Sequence, residues 1–459
     1  MPLSKESRRS SSEVEKGGVD QIEFREKSNY YVEHRKDGNK IRGGSPTMKK
    51  VVAIVMAIAM LLSVTSAFAE KTKLTVWSIA VEGDANYQTY KDAIADFNAS
   101  NDKYELVMES TENEAYKTKI KAAMSAGEGL PDIFFTWSMS FLGDFVKAGR
   151  VYCLDDVLPT YKEELTDAML ANTNYDGKQY GVPLTFNVVT LFANMDLLKK
   201  AGWEKAPETY DELIKCCDDL VAAKIIPFGV AGKENWCLSE YTEPLLVKTI
   251  GAKGLEDCYT GAASWNQEGV IKAMTIFTDM IAKGYFDPSA AALGNEEVKQ
   301  NFFAGKTAFY QNGSWNCGEV AAAGDNFVAI PFPVIDSENA TLYEMVGGPN
   351  DSLAVSASSK DPAAAADAAF QLARAISKGG NLNGAGMPGW AVNYDTSSVN
   401  RVSNSVAAMV AQSKAMVLFG DNFLSADAAN TYLDYIARIF AGDITAQEFA
   451  EGLAADLQK

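Results

Sequence analysis

Histidine, the side chain on which catalysis and metal binding in proteins most often depend, occurs once in this chain of 459 residues, as His34. His34 lies in a polar N-terminal stretch that we do not expect in the folded protein. Without histidine, Ser-His-Asp catalysis, Cys-His catalysis and histidine-ligated metal sites are excluded from the rest of the chain. Two carboxylates could still hydrolyse a glycosidic bond. The chemistry open to this sequence is therefore carboxylate catalysis or non-covalent binding.

The six cysteines offer no alternative metal chemistry. No two of them are spaced as in the CxxC motif, and without histidine we predict no zinc site, no other metal and no cofactor. The sequence leaves the pairing of the cysteines open. Cys217 falls on the predicted core face of a helix, where a buried free thiol fits at least as well as a disulfide.

The acidic residues argue against two classes of function. Residues 1–69 carry 12 of the 42 Lys and Arg and 8 of the 60 Asp and Glu, so residues 70–459 have a net charge of −22. A chain this acidic would be repelled by the phosphates of a nucleic acid, so we predict no nucleic-acid partner. Close pairs arise by chance among so many carboxylates, and no pattern singles out a catalytic pair. We therefore predict no catalytic residues and no enzyme activity.

Several tryptophans lie at strand ends or in loops, where an α/β protein could use them to contact a ligand. Trp137 and Ser138 follow a buried strand at its C-terminal end, the edge at which α/β clefts bind ligands. Trp236 lies in a predicted loop after an apolar strand, and Trp315 follows another strand. Trp390 lies in a glycine-rich loop, where backbone can approach a ligand closely. The alternative for each is a packing role, because most aromatic side chains belong to the core.

The predicted elements at the start of the chain position the first of these residues. Alternating apolar residues at Lys73–Trp77 predict a buried strand, and the loop after it supplies Ser78 and Glu82 as candidate contacts. A helix is predicted over residues 86–98 and a second strand over Tyr104–Met108.

The alternation of strands and helices continues from there. Thr111 and Glu114 have the spacing of a capping box, which predicts a helix through Met124. Pro131–Phe135 is an apolar strand. This alternation indicates an α/β fold.

The middle of the chain carries two strong local signals. Asp176-Gly177 predicts a tight hairpin, followed by a continuous apolar strand over Pro183–Asn194. Thr209 and Glu212 form a second predicted capping box. The helix that it opens has a predicted core face of Leu213, Ile214, Cys217, Leu220 and Val221.

The N-terminal part predicts export. Met1–Thr47 is polar and predicted to be disordered, and we expect translation to start at Met48 instead. A basic start, the apolar run Val51–Leu62 and the small residues of Ala67–Ala69 have the pattern of a cleavable signal peptide over Met48–Ala69. The apolar run is too short for the alternative of a membrane anchor, which needs about 20 residues. The residue directly after the predicted cleavage site is Glu70 and not a cysteine, so we predict a periplasmic protein that is not a lipoprotein.

Several segments, spread along the chain, together resemble those of a known protein family. The chain resembles the extracellular solute-binding proteins of ABC importers, the maltose-binding-protein-like sugar-binding family. The segments that carry the resemblance are Ala126–Phe134, Asp176–Pro183, Pro207–Leu213, Phe303–Trp315, Pro331–Pro333 with Gly347-Gly348, and Gly442–Thr445.

The resemblance implies a two-lobe periplasmic-binding-protein fold, with hinge strands and a ligand cleft between the lobes. We expect the N-terminal lobe to hold residues 70–186 and 344–394, and the C-terminal lobe residues 187–335 and 396–459. The partners implied are a carbohydrate ligand and the permease subunits of an ABC importer in the inner membrane. We expect the protein to be a monomer.

The resemblance also implies roles for particular residues. Related proteins place a stacking aromatic residue at the position of Trp315, and a polar sugar contact, often a carboxylate, at the position of Asn187. At the other chain crossing, Gly347 and Gly348 would supply backbone donors and Asp351 a carboxylate. The alternative for Asp351 is a helix or turn cap.

These residues predict a receptor for a neutral mono- or oligosaccharide. Aromatic rings stack on the apolar faces of sugars, and polar groups satisfy the hydroxyls. An anionic sugar would need a cationic cluster, and none accompanies the aromatic candidates. Two alternatives stay open, namely an exported carbohydrate-active enzyme that uses two carboxylates and a receptor of the same fold for a non-sugar solute.

Overall fold

A computed structural model describes residues 70–458 of the chain. The predictions of a signal peptide, a disordered leader and a start at Met48 concern residues outside this range. Within the described range, no helix is both long enough and apolar enough to span a bilayer.

The described residues alternate between strands and helices along most of their length. The strands are β1 Thr72–Ser78, β2 Tyr104–Ser110, β3 Ile133–Trp137, β4 Asn174–Tyr175, β5 Lys178–Gln179, β6 Gly181–Asn194, β7 Ile226–Gly229, β8 Thr307–Gly313, β9 Phe327–Ile330, β10 Met345–Val355, β11 Met387–Pro388 and β12 Met416–Val417. The helices are α1 Ala85–Ser100, α2 Asn113–Ala126, α3 Ser140–Lys147, α4 Asp167–Ala171, α5 Met195–Lys200, α6 Tyr210–Ala222, α7 Asn235–Thr260, α8 Glu268–Ala282, α9 Asn295–Phe303, α10 Cys317–Ala323, α11 Pro362–Asn383, α12 Arg401–Val410, α13 Gly420–Phe423, α14 Ala426–Ala441 and α15 Ala446–Leu457.

One mixed sheet runs through the protein in the order β2-β1-β3-β10-β6-β8-β7. Strands β2 and β3 are parallel to β1, and β7 is parallel to β8. The two central strands, β10 and β6, are antiparallel to each other and to their outer neighbours β3 and β8. The predicted α/β class is confirmed.

The core divides into clusters on either side of these two central strands. Leu184 of β6 and Leu353 of β10 pack in the first cluster, with the side chains of β1 and β3. Leu191 of β6 and Val346 of β10 pack in another, with those of α7 and α8. Each central strand thus passes from one lobe to the other, as a hinge strand does. The lobe boundaries given above stay predictions.

Local signals account for several element boundaries. Thr209 caps α6 in the predicted capping box with Glu212, and the predicted hairpin joins β4 to β5. The capping box predicted at Thr111 is wrong. Glu112 is the N-cap residue instead, and its carboxylate accepts hydrogen bonds from the backbone N–H groups at the start of α2.

The predicted core face of α6 is correct except at its end. Leu213, Cys217 and Leu220 are buried as expected. Val221 is exposed instead. Cys216, next to Cys217, is buried although it was not part of the predicted face. All six cysteines are free thiols, and five of them are buried.

The 26-residue helix α7 contains two residues that usually interrupt helices. Pro244 has no N–H to donate to the carbonyl of Glu240, and the side chain of Gln311 donates to that oxygen instead, at 2.7 Å. Gly251 has a φ of 77°, and the helix kinks there. Trp236, predicted in a loop, lies in the first turn of this helix.

Lys248 of α7 forms hydrogen bonds with the loop that precedes β10. Its ammonium group donates hydrogen bonds to three backbone carbonyls, those of Thr341, Leu342 and Glu344, at 3.3, 2.6 and 2.6 Å. Only 3% of the residue is exposed, and burial lowers its pKa to about 8, although nearby Glu344 opposes this shift. A buried cation of this kind is tolerated because it is fully hydrogen-bonded.

Replacement of Lys248 should therefore destabilise the protein. We expect Lys248→Met to lower the free energy of unfolding by about 2–4 kcal/mol, because buried carbonyls lose their donor. Lys253→Met is a matched control on the same helix, where an exposed lysine pairs with Asp257. The control should change stability by at most about 0.5 kcal/mol. Urea unfolding of both variants checks this, and equal losses would contradict the role given to Lys248.

Candidate functional site

Trp137, the last residue of β3, stands at the end of its strand as predicted. Its ring makes edge-to-face contacts with the rings of Phe135 and Phe141, with centroids 5.0 and 4.9 Å apart. Tyr116 of α2 supports it from another side at 6.2 Å. These neighbours all belong to the N-terminal lobe and fix the orientation of the indole.

Two tryptophans of the C-terminal lobe lie side by side. Trp315 follows β8 in the short 3₁₀ turn Ser314–Asn316, and its ring centroid is 6.3 Å from that of Trp236. Phe419 packs against Trp315 at 6.1 Å. Both indoles remain partly exposed, and the Nε1 of Trp236 has no hydrogen-bond partner among the described residues. Partly exposed rings of this kind can serve as stacking platforms.

Lys117 shows that these tryptophans face a common space. Its ammonium nitrogen lies 5.3 Å from the ring centroid of Trp137 and 5.8 Å from that of Trp236. The two lobes also meet where the hydroxyl of Ser140 donates to the carbonyl of Phe423, at 3.0 Å. Trp137, Trp236 and Trp315 thus lie near one another, with Lys117 between Trp137 and Trp236.

A polar group lies at the hinge strands. Asp351 accepts hydrogen bonds from the hydroxyl of Thr185 and the amide of Asn187, both at 3.0 Å. The amide oxygen of Asn187 accepts in turn from the hydroxyl of Ser314, at 3.0 Å. Burial raises the pKa of Asp351 to about 6, and these hydrogen bonds oppose the shift. The predicted residues Asn187 and Asp351 therefore form one network rather than two separate contacts.

Gly347 and Gly348 have a structural reason to be glycine. Their φ angles are 137° and 152°, values that favour glycine over other residues. A Cβ at Gly347 would lie 2.2 Å from the carbonyl oxygen of Asn187 on the paired strand. Glycine here lets the two hinge strands approach closely.

Ser78, Ser138 and Glu82 do not join the aromatic group. Ser138 is buried, and its N–H donates to the carbonyl of Asn350 at 2.8 Å. The buried hydroxyl of Ser78 accepts from the N–H of Ala80 at 3.0 Å. Glu82 is exposed. Both serines have backbone partners and support the strand ends on which the cleft is built.

Trp390 packs in the core of the N-terminal lobe rather than beside the other tryptophans. It is 6% exposed and packs edge-to-face against the stacked rings of Tyr161 and Phe370. Its Nε1 donates to the carbonyl of Pro183 at 2.8 Å. The structure therefore favours the packing alternative for Trp390.

Sequence reasoning missed three contributors to the cleft. Lys117 is spaced for an ion pair with Glu114 on α2, a pattern that usually marks an exposed helix face. Phe419 and Asp421 flank the start of the short helix α13, which carries no periodic signal. No local pattern distinguishes these residues from ordinary surface or core positions.

The described residues hold no cluster of three or more His, Cys, Asp or Glu side chains arranged for a metal ion. The site is instead built from aromatic rings, an amide and carboxylates. This set suits an uncharged, hydroxyl-rich molecule with apolar faces.

Comparison with known proteins places the chain among binding proteins. Residues 82–375 match the family described as bacterial extracellular solute-binding protein. The multiple sugar-binding protein of Streptococcus mutans serotype c is 31% identical over 173 residues, which are 37% of this chain and 40% of that protein. The chain spans 40 to 60% of the length of the first curated relatives that it matches.

Solved structures extend the similarity to the whole fold. One from a study of xylan utilization by Caldanaerobius polysaccharolyticus is 32% identical, with a TM-score of 0.80 over 84% of this chain and 100% of that chain. A chitin oligosaccharide binding protein is 22% identical, with a TM-score of 0.77 over 85% of this chain and 98% of that chain. The predicted fold is confirmed, and the matches support a binding protein rather than an enzyme.

The hinge network predicts a pH effect on stability. Because the pKa of Asp351 is raised from 3.8 to about 6, the native state keeps a proton that the unfolded state has lost between these values. The free energy of unfolding should therefore fall as pH rises from about 4 to about 6 and then level off. Asp351→Asn keeps the hydrogen-bond acceptor and removes the titration.

The measurement is urea unfolding of wild type and Asp351→Asn from pH 4 to 7. We expect the wild type to lose about 1–2 kcal/mol relative to the variant across this window, a value discounted for partial exposure. Asp361→Asn is a control that should leave the pH profile unchanged, because a hydrogen bond from Tyr104 lowers the pKa of Asp361 and its titration falls below this window. Parallel pH profiles for wild type and Asp351→Asn would contradict the assignment.

Proposed function

Because the chain belongs to the bacterial extracellular solute-binding proteins, we propose that it captures a neutral mono- or oligosaccharide between its lobes and delivers it to an ABC importer permease. The observation that carries the proposal is the convergence of Trp137, Trp236 and Trp315 from opposite lobes. The partly exposed rings of Trp236 and Trp315 would stack on the apolar faces of sugar rings, and the buried Trp137 would line the cleft beside them. Asp351, which is partly exposed, would accept hydrogen bonds from sugar hydroxyls, and the buried Asn187 would hold it in place.

The charges near the cleft support an uncharged ligand. Glu114 of the N-terminal lobe forms an ion pair with Lys117, and Glu234 and Asp421 of the C-terminal lobe interact electrostatically with the same ammonium group. A phosphate or carboxylate on the ligand would meet like charges, which costs several kcal/mol in a closed site. Similar proteins are also connected with carbohydrates: a multiple sugar-binding protein, a protein from a study of xylan utilization and a chitin oligosaccharide binding protein.

The proposed mechanism is a population shift between open and closed lobes. A sugar bound in the cleft contacts both lobes only in the closed form, so it favours that form. We propose lobes of residues 70–186 with 344–394 and 187–335 with 396–459, linked through β6 and β10. The permease would recognise the closed form of a monomeric, periplasmic protein, exported by a signal peptide over Met48–Ala69 and without a lipid anchor.

A panel of sugars tests the proposal. Xylo-, chito-, malto- and galacto-oligosaccharides and their monosaccharides are screened by thermal shift and tryptophan fluorescence, with glucose 6-phosphate and glucuronate as charged controls. A ligand at 100 times its Kd should stabilise the native state by about 2.7 kcal/mol. The same mixtures are examined for cleavage products. Turnover without a saturable shift would favour the carbohydrate-active enzyme over the receptor, and a shift only with the charged controls would exclude a neutral sugar as the ligand.

Trp315→Ala should weaken binding of the sugar with the largest thermal shift in this panel by about 1–3 kcal/mol, because one stacked aromatic face is lost. Trp390→Phe is the control, since it keeps an aromatic ring in the core but removes part of the ring system and the N–H that donates to the carbonyl of Pro183. The control should lower the melting temperature and leave Kd unchanged. Isothermal titration calorimetry measures both, and an unchanged Kd for Trp315→Ala would exclude this indole from the site.

A further inference from the structure

Lys117 occupies an unusual position for a lysine on a helix surface. It lies on α2, whose buried residues Tyr116 and Ile120 pack in the N-terminal lobe. Its ammonium nitrogen nevertheless reaches within 5.8 Å of the ring centroid of Trp236 in the C-terminal lobe, and within 5.3 Å of Trp137 in its own. The side chain is only 25% exposed. One cation thus contacts an aromatic ring on each wall of the cleft.

Both walls of the cleft are acidic where Lys117 lies. The N-terminal lobe presents Glu112 and Glu114, and Glu114 pairs with Lys117 at 2.8 Å. The C-terminal lobe presents Glu234 and Asp421. Burial raises the pKa of Asp421, which Lys117 opposes and Glu114 reinforces. Burial also raises the pKa of Glu234, and both N-terminal carboxylates add to it while Lys117 opposes it.

Closure of the lobes therefore brings like charges together. In the open form the two acidic walls are separated and screened by water and salt. In the closed form they face each other, and a compensating cation is needed between them. The position of Lys117 between the two indoles and the two acidic walls meets this need. A cation over a partly desolvated indole adds attraction of its own.

We infer that Lys117 is a positioning residue that holds the two lobes closed, by joining Trp137 to Trp236 and by neutralising the carboxylates that closure brings together. The inference deepens the proposed function, since a receptor that closes on its ligand depends on this balance. Lys117 acts on the equilibrium between open and closed lobes and does not recognise the sugar directly.

The distance between the lobes in the ligand-free full-length chain tests the inference. Nitroxide labels at Lys147→Cys and Lys205→Cys, exposed on the N- and C-terminal lobes, report it by double electron–electron resonance. Cys153, the one native cysteine that is not buried, is replaced by serine throughout. In Lys117→Met we expect the ratio of closed to open populations to fall about 3- to 10-fold, the range of one partly desolvated cation–π contact.

Three further variants separate the electrostatic role from a loss of packing. Lys117→Arg keeps the charge and should restore the closed population. Glu114→Gln added to Lys117→Met should restore much of it, because one of the opposing carboxylates is removed. Lys121→Met is the matched control, since Lys121 lies one turn further along α2 with its ammonium 5.2 Å from the Phe141 ring of its own lobe. That control should leave the distances unchanged.

Salt gives an independent readout. Raising the salt concentration from about 0.1 M to about 1 M shortens the Debye length from about 10 Å to about 3 Å. Screening should therefore return Lys117→Met towards the closed form. The inference would be overturned if Lys117→Met showed the same distances as wild type. It would also be overturned if Lys117→Met with Glu114→Gln stayed as open as Lys117→Met alone at both salt concentrations. These distances are measured without carbohydrate, so failure of the sugar panel would refute the proposed function without affecting this result.

Discussion

The pairing of the two long strands β6 and β10 is the interaction on which the rest of the structure depends. Each strand carries core residues of both lobes, so neither lobe can complete its sheet without them. The close approach at Gly347, where no Cβ can be accommodated, sets the spacing of the pair at the crossing. The pairing keeps the two lobes joined at this crossing. A cleft beside the hinge strands is the consequence.

The cleft combines two requirements that oppose each other. Stacking platforms must be partly exposed when the lobes are open, and the lobes must still close around a ligand. Trp315 meets the first requirement, since it is partly exposed and is supported from behind by Phe419, whereas Trp137 is buried against Phe141. The acidic walls oppose closure of the lobes, because closure brings their negative charges together. A cation between the walls is the simplest compensation.

Much of the fold follows from local sequence, and much of the site does not. The Asp176-Gly177 hairpin and the capping box at Thr209 depend on interactions within a few residues, so their patterns predict them. Helix α7 escaped prediction because it is buried on most sides and contains Pro244 and Gly251. Its irregularities are compensated by distant partners, such as Gln311 and Glu344, that no local window contains. The same limit explains why Trp315 and Trp390 look alike in sequence, since only their neighbours in space distinguish them.

The amide at position 187 shows how such distant partners decide chemistry. The family pattern often places a carboxylate at this position, and the sequence alone leaves the substitution unexplained. In the structure, Asn187 donates to Asp351 and accepts from Ser314 at the same time. A carboxylate could not donate to Asp351 unless it were protonated, and two ionised carboxylates about 3 Å apart would repel strongly in a buried place. The amide therefore lets the hinge keep one carboxylate, Asp351, ready to accept a hydrogen bond from a ligand.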